Sequence, residues 1–149
     1  MERPIRFAVI GFVRIGRALV RQWMRMEASI VFDLVAINDI APIETCAHFL
    51  EYDSVYGLAP AKIAQAACAL ILKGHSVRFT QQHYLGSVDM SGVDVVLLMQ
   101  WKSRRFTICL FRATVWGKTC ANIRSFGAFG CYSCVGSQRA RAEGPKNYF

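Results

Sequence analysis

A glycine turn and a distant aspartate are the groups in this chain whose types and spacing could do chemistry. Gly11-Phe12-Val13-Arg14-Ile15-Gly16-Arg17 follows the apolar run Ile5–Ile10 and leads into a helical pattern. A strand that turns sharply into a helix aims unpaired N–H groups, and the positive end of the helix dipole, at whatever sits above the turn. A phosphate is stabilised in that place. Gly11 permits the tight turn, and Gly16 lets helix and strand pack closely. Asp39, after Asn38, ends a second apolar segment 23 residues beyond Gly16. At that spacing a carboxylate can accept hydrogen bonds from ribose hydroxyls.

The glycine turn alone reads equally well as a bare strand-to-helix connection with no ligand. Asp39 tips the balance toward a dinucleotide site, and its charge favours NAD over NADP, whose extra phosphate it would repel. One letter departs from the G-x-G-x-x-G pattern: Val13 stands where the middle glycine belongs. Valine does not easily take glycine backbone angles, and its methyls are expected to occupy the phosphate approach. A steric penalty of roughly 1–3 kcal/mol would weaken binding about ten- to hundredfold.

The elements that must hold these groups are legible from periodicity. Ile5–Ile10 suits a strand buried on both faces. Ile15–Glu27 is helical by pattern, with Ile15, Leu19, Trp23 and Met26 on one side. Arg17, Arg21 and Arg25 form a stripe on another face, which ordinarily is a solvated surface. Asp33–Asn38 is a second strand. Pro42 breaks the chain before a short amphipathic helix over Ile43–Tyr52, and Gly57 to Pro60 reads as a loop. Ala69–Lys73 and Ser76–Thr80 flank Gly74-His75 as a hairpin. Gly92 precedes another buried strand, Val93–Leu98. The pattern predicts an α/β fold of Rossmann type with a mostly parallel sheet.

Charge divides the chain in two. Residues 1–98 carry nine basic and nine acidic side chains, whereas residues 99–149 carry nine basic ones and only Glu143. The net charge of +8 therefore belongs entirely to the last third. This places a nucleotide-binding domain at 1–98 and a divergent, basic, Cys- and aromatic-rich tail at 99–149. Phe106–Trp116 could be a strand, Ser125–Gly136 keeps no periodicity, and Ser137–Phe149 is expected to be disordered. No apolar run reaches the roughly 18 residues that span a bilayer. Six cysteines without a secretory leader suit a reducing, cytoplasmic setting. Cys131-Tyr132-Ser133-Cys134 has no second pair and no later histidine, so no metal site is expected.

Several words in the first two-thirds of the chain resemble one family in the right order. Gly11–Arg17 resembles G-F-G-R-I-G-R, and Val35-Ala36-Ile37-Asn38-Asp39 matches as well. So do Leu50-Glu51-Tyr52-Asp53-Ser54-Val55-Tyr56-Gly57 and Gly92-Val93-Asp94-Val95-Val96-Leu97. Residues 5–98 look like the NAD-binding half of phosphorylating glyceraldehyde-3-phosphate dehydrogenase, with erythrose-4-phosphate dehydrogenase close behind. The resemblance implies a cofactor site of Gly11, Phe12, Arg14, Ile15, Gly16, Asn38, Asp39 and His83. In it Arg14 and Ile15 meet the pyrophosphate through their backbone, Asp39 holds the ribose, and His83 lies near the adenine.

The departures bear on activity. Ile10 replaces the family's asparagine and Tyr56 its histidine. Beyond Leu97 the E-C/S-T-G turn, the S-C-T-T-N-C nucleophile motif and the histidine base do not follow. An aldehyde dehydrogenase of this kind needs a thiolate, a base and a hydride acceptor together. This chain offers a place only for the last, so no catalytic residue is expected and the glycolytic oxidoreductase activity of the family is not. The alternatives are a basic interaction or nucleic-acid-binding protein using the tail with Trp101, Phe106, Phe111 and Trp116, or an inactive frameshifted product. A sheet edge left open after Val93–Leu98 would also expose apolar surface and promote self-association.

Overall fold

The apolar runs become the middle of one sheet. The computed structural model describes residues 3–26, 31–102 and 105–112. Among them the elements follow in the order β1 (Ile5–Ile10), α1 (Arg14–Arg25), β2 (Phe32–Asn38), α2 (Ile43–Glu51), β3 (Tyr52–Asp53) and β4 (Gly57–Leu58). Then come β5 (Ile63–Ala66), β6 (Ala69–Leu72), β7 (His75–Thr80), a 3-10 turn (Leu85–Ser87), β8 (Val95–Lys102) and β9 (Arg105–Arg112). The sheet order is β5-β6-β7-β2-β1-β8-β9. Its centre, β7-β2-β1-β8, is parallel, and the outer pairs on both sides are antiparallel. This is the α/β architecture of a Rossmann-type domain. Because β1 leads to β2 on one side and has β8 on the other, the crevice beyond its carboxyl end is where such sheets take ligands.

Both helices cover the same face. Val20, Trp23 and Met24 of α1 and Cys46, Ala47 and Leu50 of α2 pack on Phe7, Val9, Leu34, Ile37, Val77 and Phe79. A fully buried Val, Leu or Met side chain contributes roughly 1.5–3 kcal/mol. α1 has no side-chain cap at its amino end, so its apolar stripe holds it in place. The opposite face buries Ala8, Ile10, Ala36, Val96 and Leu98 under Val88 and Val93. Val35 is an extra residue on β2, since Phe7 pairs with Leu34 while Ala8 pairs with Ala36. That bulge reverses the alternation, so Leu34 and Ile37 both face the helices. It also sets the face on which Asn38 emerges.

Four expectations need correction. The arginine stripe is not solvated throughout: Arg25 is exposed, but Arg21 is only 2% exposed. Its guanidinium donates to the backbone carbonyls of Leu50, Glu51, Gly57 and Leu58, which ties α1 to the end of α2 and to β4. Gly57–Leu58 is accordingly a strand paired with Tyr52–Asp53, and not part of a loop. The hairpin turn is Lys73-Gly74, one residue earlier than expected, because Leu72 pairs with His75. Both turn residues have positive φ, 53° and 80°, as a two-residue turn between twisted strands requires.

The fourth correction concerns the end of the sheet. β8 runs through residue 98 to Lys102, and β9 pairs with it from Val95 to Lys102. Regular structure thus continues past residue 98, and the edge expected to stand open after Val93–Leu98 is paired. The aromatic and basic residues proposed for nucleic-acid contact beyond Arg112, Trp116 among them, lie outside the described residues. So do Ser125–Gly136, the Cys131–Cys134 pair and Ser137–Phe149. Among the described residues no helix is long and apolar enough to cross a membrane.

Candidate functional site

Where β1 ends, the backbone turns through Gly11 with φ +86°, a conformation that glycine takes without strain. Space enforces the same choice. A Cβ on Gly11 would lie 2.0 Å from the carbonyl oxygen of Met99 on β8. Gly16, in the first turn of α1, is packed as closely: a Cβ there would lie 2.9 Å from the carbonyl oxygen of Gly11 and 3.3 Å from Val9. Each glycine does what its spacing promises. The approach of Met99 is not legible in sequence, because it depends on a strand 88 residues away.

The backbone groups of the turn can be followed one by one. Gly11 N–H donates to the Asn38 carbonyl at 2.8 Å. Phe12 N–H donates to Oδ2 of Asp39, and Ala41 N–H donates to Oδ1 at 2.8 Å. The Asp39 carboxylate therefore bridges the glycine turn and the loop entering α2. It has about four lone-pair positions and spends two on these amides. The Phe12 carbonyl accepts from Nη1 of Arg17 at 3.0 Å, and the Val13 carbonyl accepts from Arg17 N–H at 2.9 Å.

Val13 corrects a further expectation. Its backbone, at φ −71° and ψ −175°, is ordinary extended chain preceding α1, so valine meets no glycine-only geometry. The side chain is half-buried and packs against the core beneath the helices. The argument from strained backbone angles therefore fails.

Arg14 and Ile15 are exposed at the start of α1. Their N–H groups, with that of Gly16, come before the first intrahelical bond, Arg17 to Val13. No acidic residue in the first turn competes with an anion there. Asn38 sits differently: it is 2% exposed and its amide is engaged within the fold. Oδ1 accepts from Thr80 Oγ1 at 2.8 Å and Gln82 N–H at 3.0 Å, and Nδ2 donates to the Gln82 carbonyl. Asn38 thereby fixes the chain leaving β7. His83 follows Gln82 and is exposed at that same corner. Phe12 is buried, 1% exposed, so it serves the site through its peptide group.

Cys46, on α2, senses the charges of this corner. Burial, and then the charge of Asp39, push it up to about 12 against the opposing pull of Arg17. It remains a protonated packing residue.

Glycine turn, uncapped helix start and acidic strand end thus meet at one corner. Residues 5–100 match the family model for the glyceraldehyde 3-phosphate dehydrogenase NAD binding domain. The chain belongs to that family. Over 93 residues it is 33% identical to glyceraldehyde-3-phosphate dehydrogenase of Cereibacter sphaeroides, an alignment covering 62% of this chain and 28% of the relative. The Borreliella burgdorferi enzyme is 32% identical over 95 residues, covering 62% and 27%. The Streptomyces coelicolor enzyme is 30% identical over 95 residues, covering 62% and 28%. The chain spans little more than a quarter of the length of these relatives, and the matched part is the family's NAD-binding domain.

Proposed function

We propose that this chain binds NAD in the crevice beyond β1 and β2. The carrying observation is the hydrogen bond from Phe12 N–H to the Asp39 carboxylate. It sets a half-satisfied acid beside the glycine turn and the open start of α1. The pyrophosphate rests on the N–H groups of Arg14, Ile15 and Gly16, where the helix dipole favours it. The ribose hydroxyls take the lone pairs that Asp39 keeps free, and the adenine lies toward His83 and Gln82. The cofactor would supply a hydride acceptor, and the chain's own residues hold and orient it. In this reading the chain acts as a cofactor-holding unit. Its setting is the cytoplasm, in keeping with the free thiols of Cys46 and Cys68.

Calorimetric titration with NAD, on this chain and on Val13→Gly, tests the reading. Both proteins are expected to bind, with affinities within about tenfold of each other, because Val13 is unstrained. Two folded preparations that give no heat at millimolar NAD would sink it.

A further inference from the structure

The arginine stripe of α1 contains a residue with a second task. Arg17 lies one turn before Arg21, and the two guanidinium groups are treated very differently. Arg21 spreads its donors over four carbonyls, as a purely structural buried arginine should. Among the described residues the Arg17 guanidinium makes one hydrogen bond, to the Phe12 carbonyl at 3.0 Å. Among those residues its Nε is buried without a partner, and its guanidinium carbon stands 5.3 Å from the centroid of the Phe49 ring. A buried donor left unsatisfied is an exception that asks for a reason. Here the group is oriented for the turn at the expense of its own bonding.

We propose that Arg17 is a positioning residue that locks the backbone of Phe12 at its carbonyl and so holds the phosphate-facing turn in its binding shape, a role that rests on the NAD reading above. The lock has two sides. Asp39 takes the N–H of Phe12 and Arg17 takes its carbonyl. Arg17 also donates its own backbone N–H to the next carbonyl, that of Val13. Two successive carbonyls of the turn therefore answer to one residue. Phe49, on α2, supports the guanidinium by a cation–π contact. Turn, α1, α2 and the end of β2 form a closed circuit around the two peptide groups that flank the Phe12 Cα. Without Arg17 the Phe12 carbonyl is free to rotate, and the N–H groups that follow it lose their fixed aim.

The test compares the chain with Arg17→Met and Arg17→Lys. Methionine keeps the stem and removes the donor and charge, whereas lysine restores both at one point. NAD affinity is measured by calorimetry, and exchange of the Phe12, Val9 and Ile37 amides by NMR. Arg17→Met is expected to bind NAD about tenfold more weakly and to exchange the Phe12 amide about tenfold faster. Val9 and Ile37, in the sheet, are expected to exchange as before. Arg17→Lys should recover most of both losses. Unchanged Phe12 exchange in Arg17→Met would overturn the proposal. So would a loss shared equally by Val9 and Ile37 that lysine does not rescue, since that is a structural role only. If the parent chain binds no NAD, the functional reading fails by itself, and Phe12 exchange still decides whether Arg17 locks the turn.

Discussion

Two aspartates stand at opposite ends of the central strands, and they are used in opposite ways. Asp94, just before β8, takes a bidentate pair of bonds from Arg3, both 2.7 Å, and the Arg6 N–H at 2.9 Å. Asp39, at the carboxyl end of β2, takes two backbone amides among the described residues, from Phe12 and Ala41. Both carboxylates staple one chain segment to another. The difference is what remains: Asp94 is matched by a guanidinium, whereas Asp39 keeps acceptor capacity beside a helix start and a glycine turn. A carboxylate with unspent lone pairs in that field is suited to ribose hydroxyls, and one already paired with an arginine is not.

That contrast can be broken at its strongest point by Gly11→Ala. The substitution imposes a side chain at φ +86° and within 2.0 Å of the Met99 carbonyl. It is expected to destabilise the domain by about 3–5 kcal/mol in denaturant unfolding and to abolish NAD binding. Asp39→Asn comes next. An amide oxygen can keep one of the two backbone donors, and the amide nitrogen then faces the other. The expected cost is about 1–3 kcal/mol of stability and ten- to hundredfold in NAD affinity by titration. An unchanged affinity would remove Asp39 from the site.

The smallest effect belongs to Asp94→Asn, which should leave NAD affinity alone. Hydrogen bonds from Arg3 and then from the Arg6 amide hold the Asp94 carboxyl at about 2, below the usual 3.8. A depressed folded-state value means that its stabilisation is fully present above about 3.8 and is lost as the pH falls through about 2. The thermal midpoint of Asp94→Asn should lie below that of the parent at neutral pH, and the gap should close between those two values. A gap that persists at pH 2 would show that packing, and not the charge pair, is what the aspartate supplies.

Much of the carboxyl-end corner is legible in the residues alone, for a physical reason. A buried strand, a glycine turn and an amphipathic helix are set by neighbours in sequence, so Ile5–Ile10, Gly11, Gly16 and the body of α1 read directly. Spacing is enough to single out Asp39. The points where pattern and structure part all involve partners far along the chain. Arg21 reads as solvated because the carbonyls it bonds, at Leu50 to Leu58, are about thirty or more residues away. Asn38 groups with Asp39 by position, yet the bulge at Val35 and the pairing with β7 turn its amide toward Thr80 and Gln82. Val13 reads as strained only by comparison with the glycine it replaces, and its actual angles are ordinary.

By itself the sequence determined the strand–turn–helix unit, the acidic end of β2 and membership of a cofactor-binding family, because apolar period, glycine and spacing act locally. Only the tertiary structure decided which donors Asp39 receives, how closely Met99 approaches Gly11, and which arginine of the stripe serves the turn. Those outcomes depend on groups that meet only when the sheet has formed, and a hydrogen bond's partner is chosen by proximity in space.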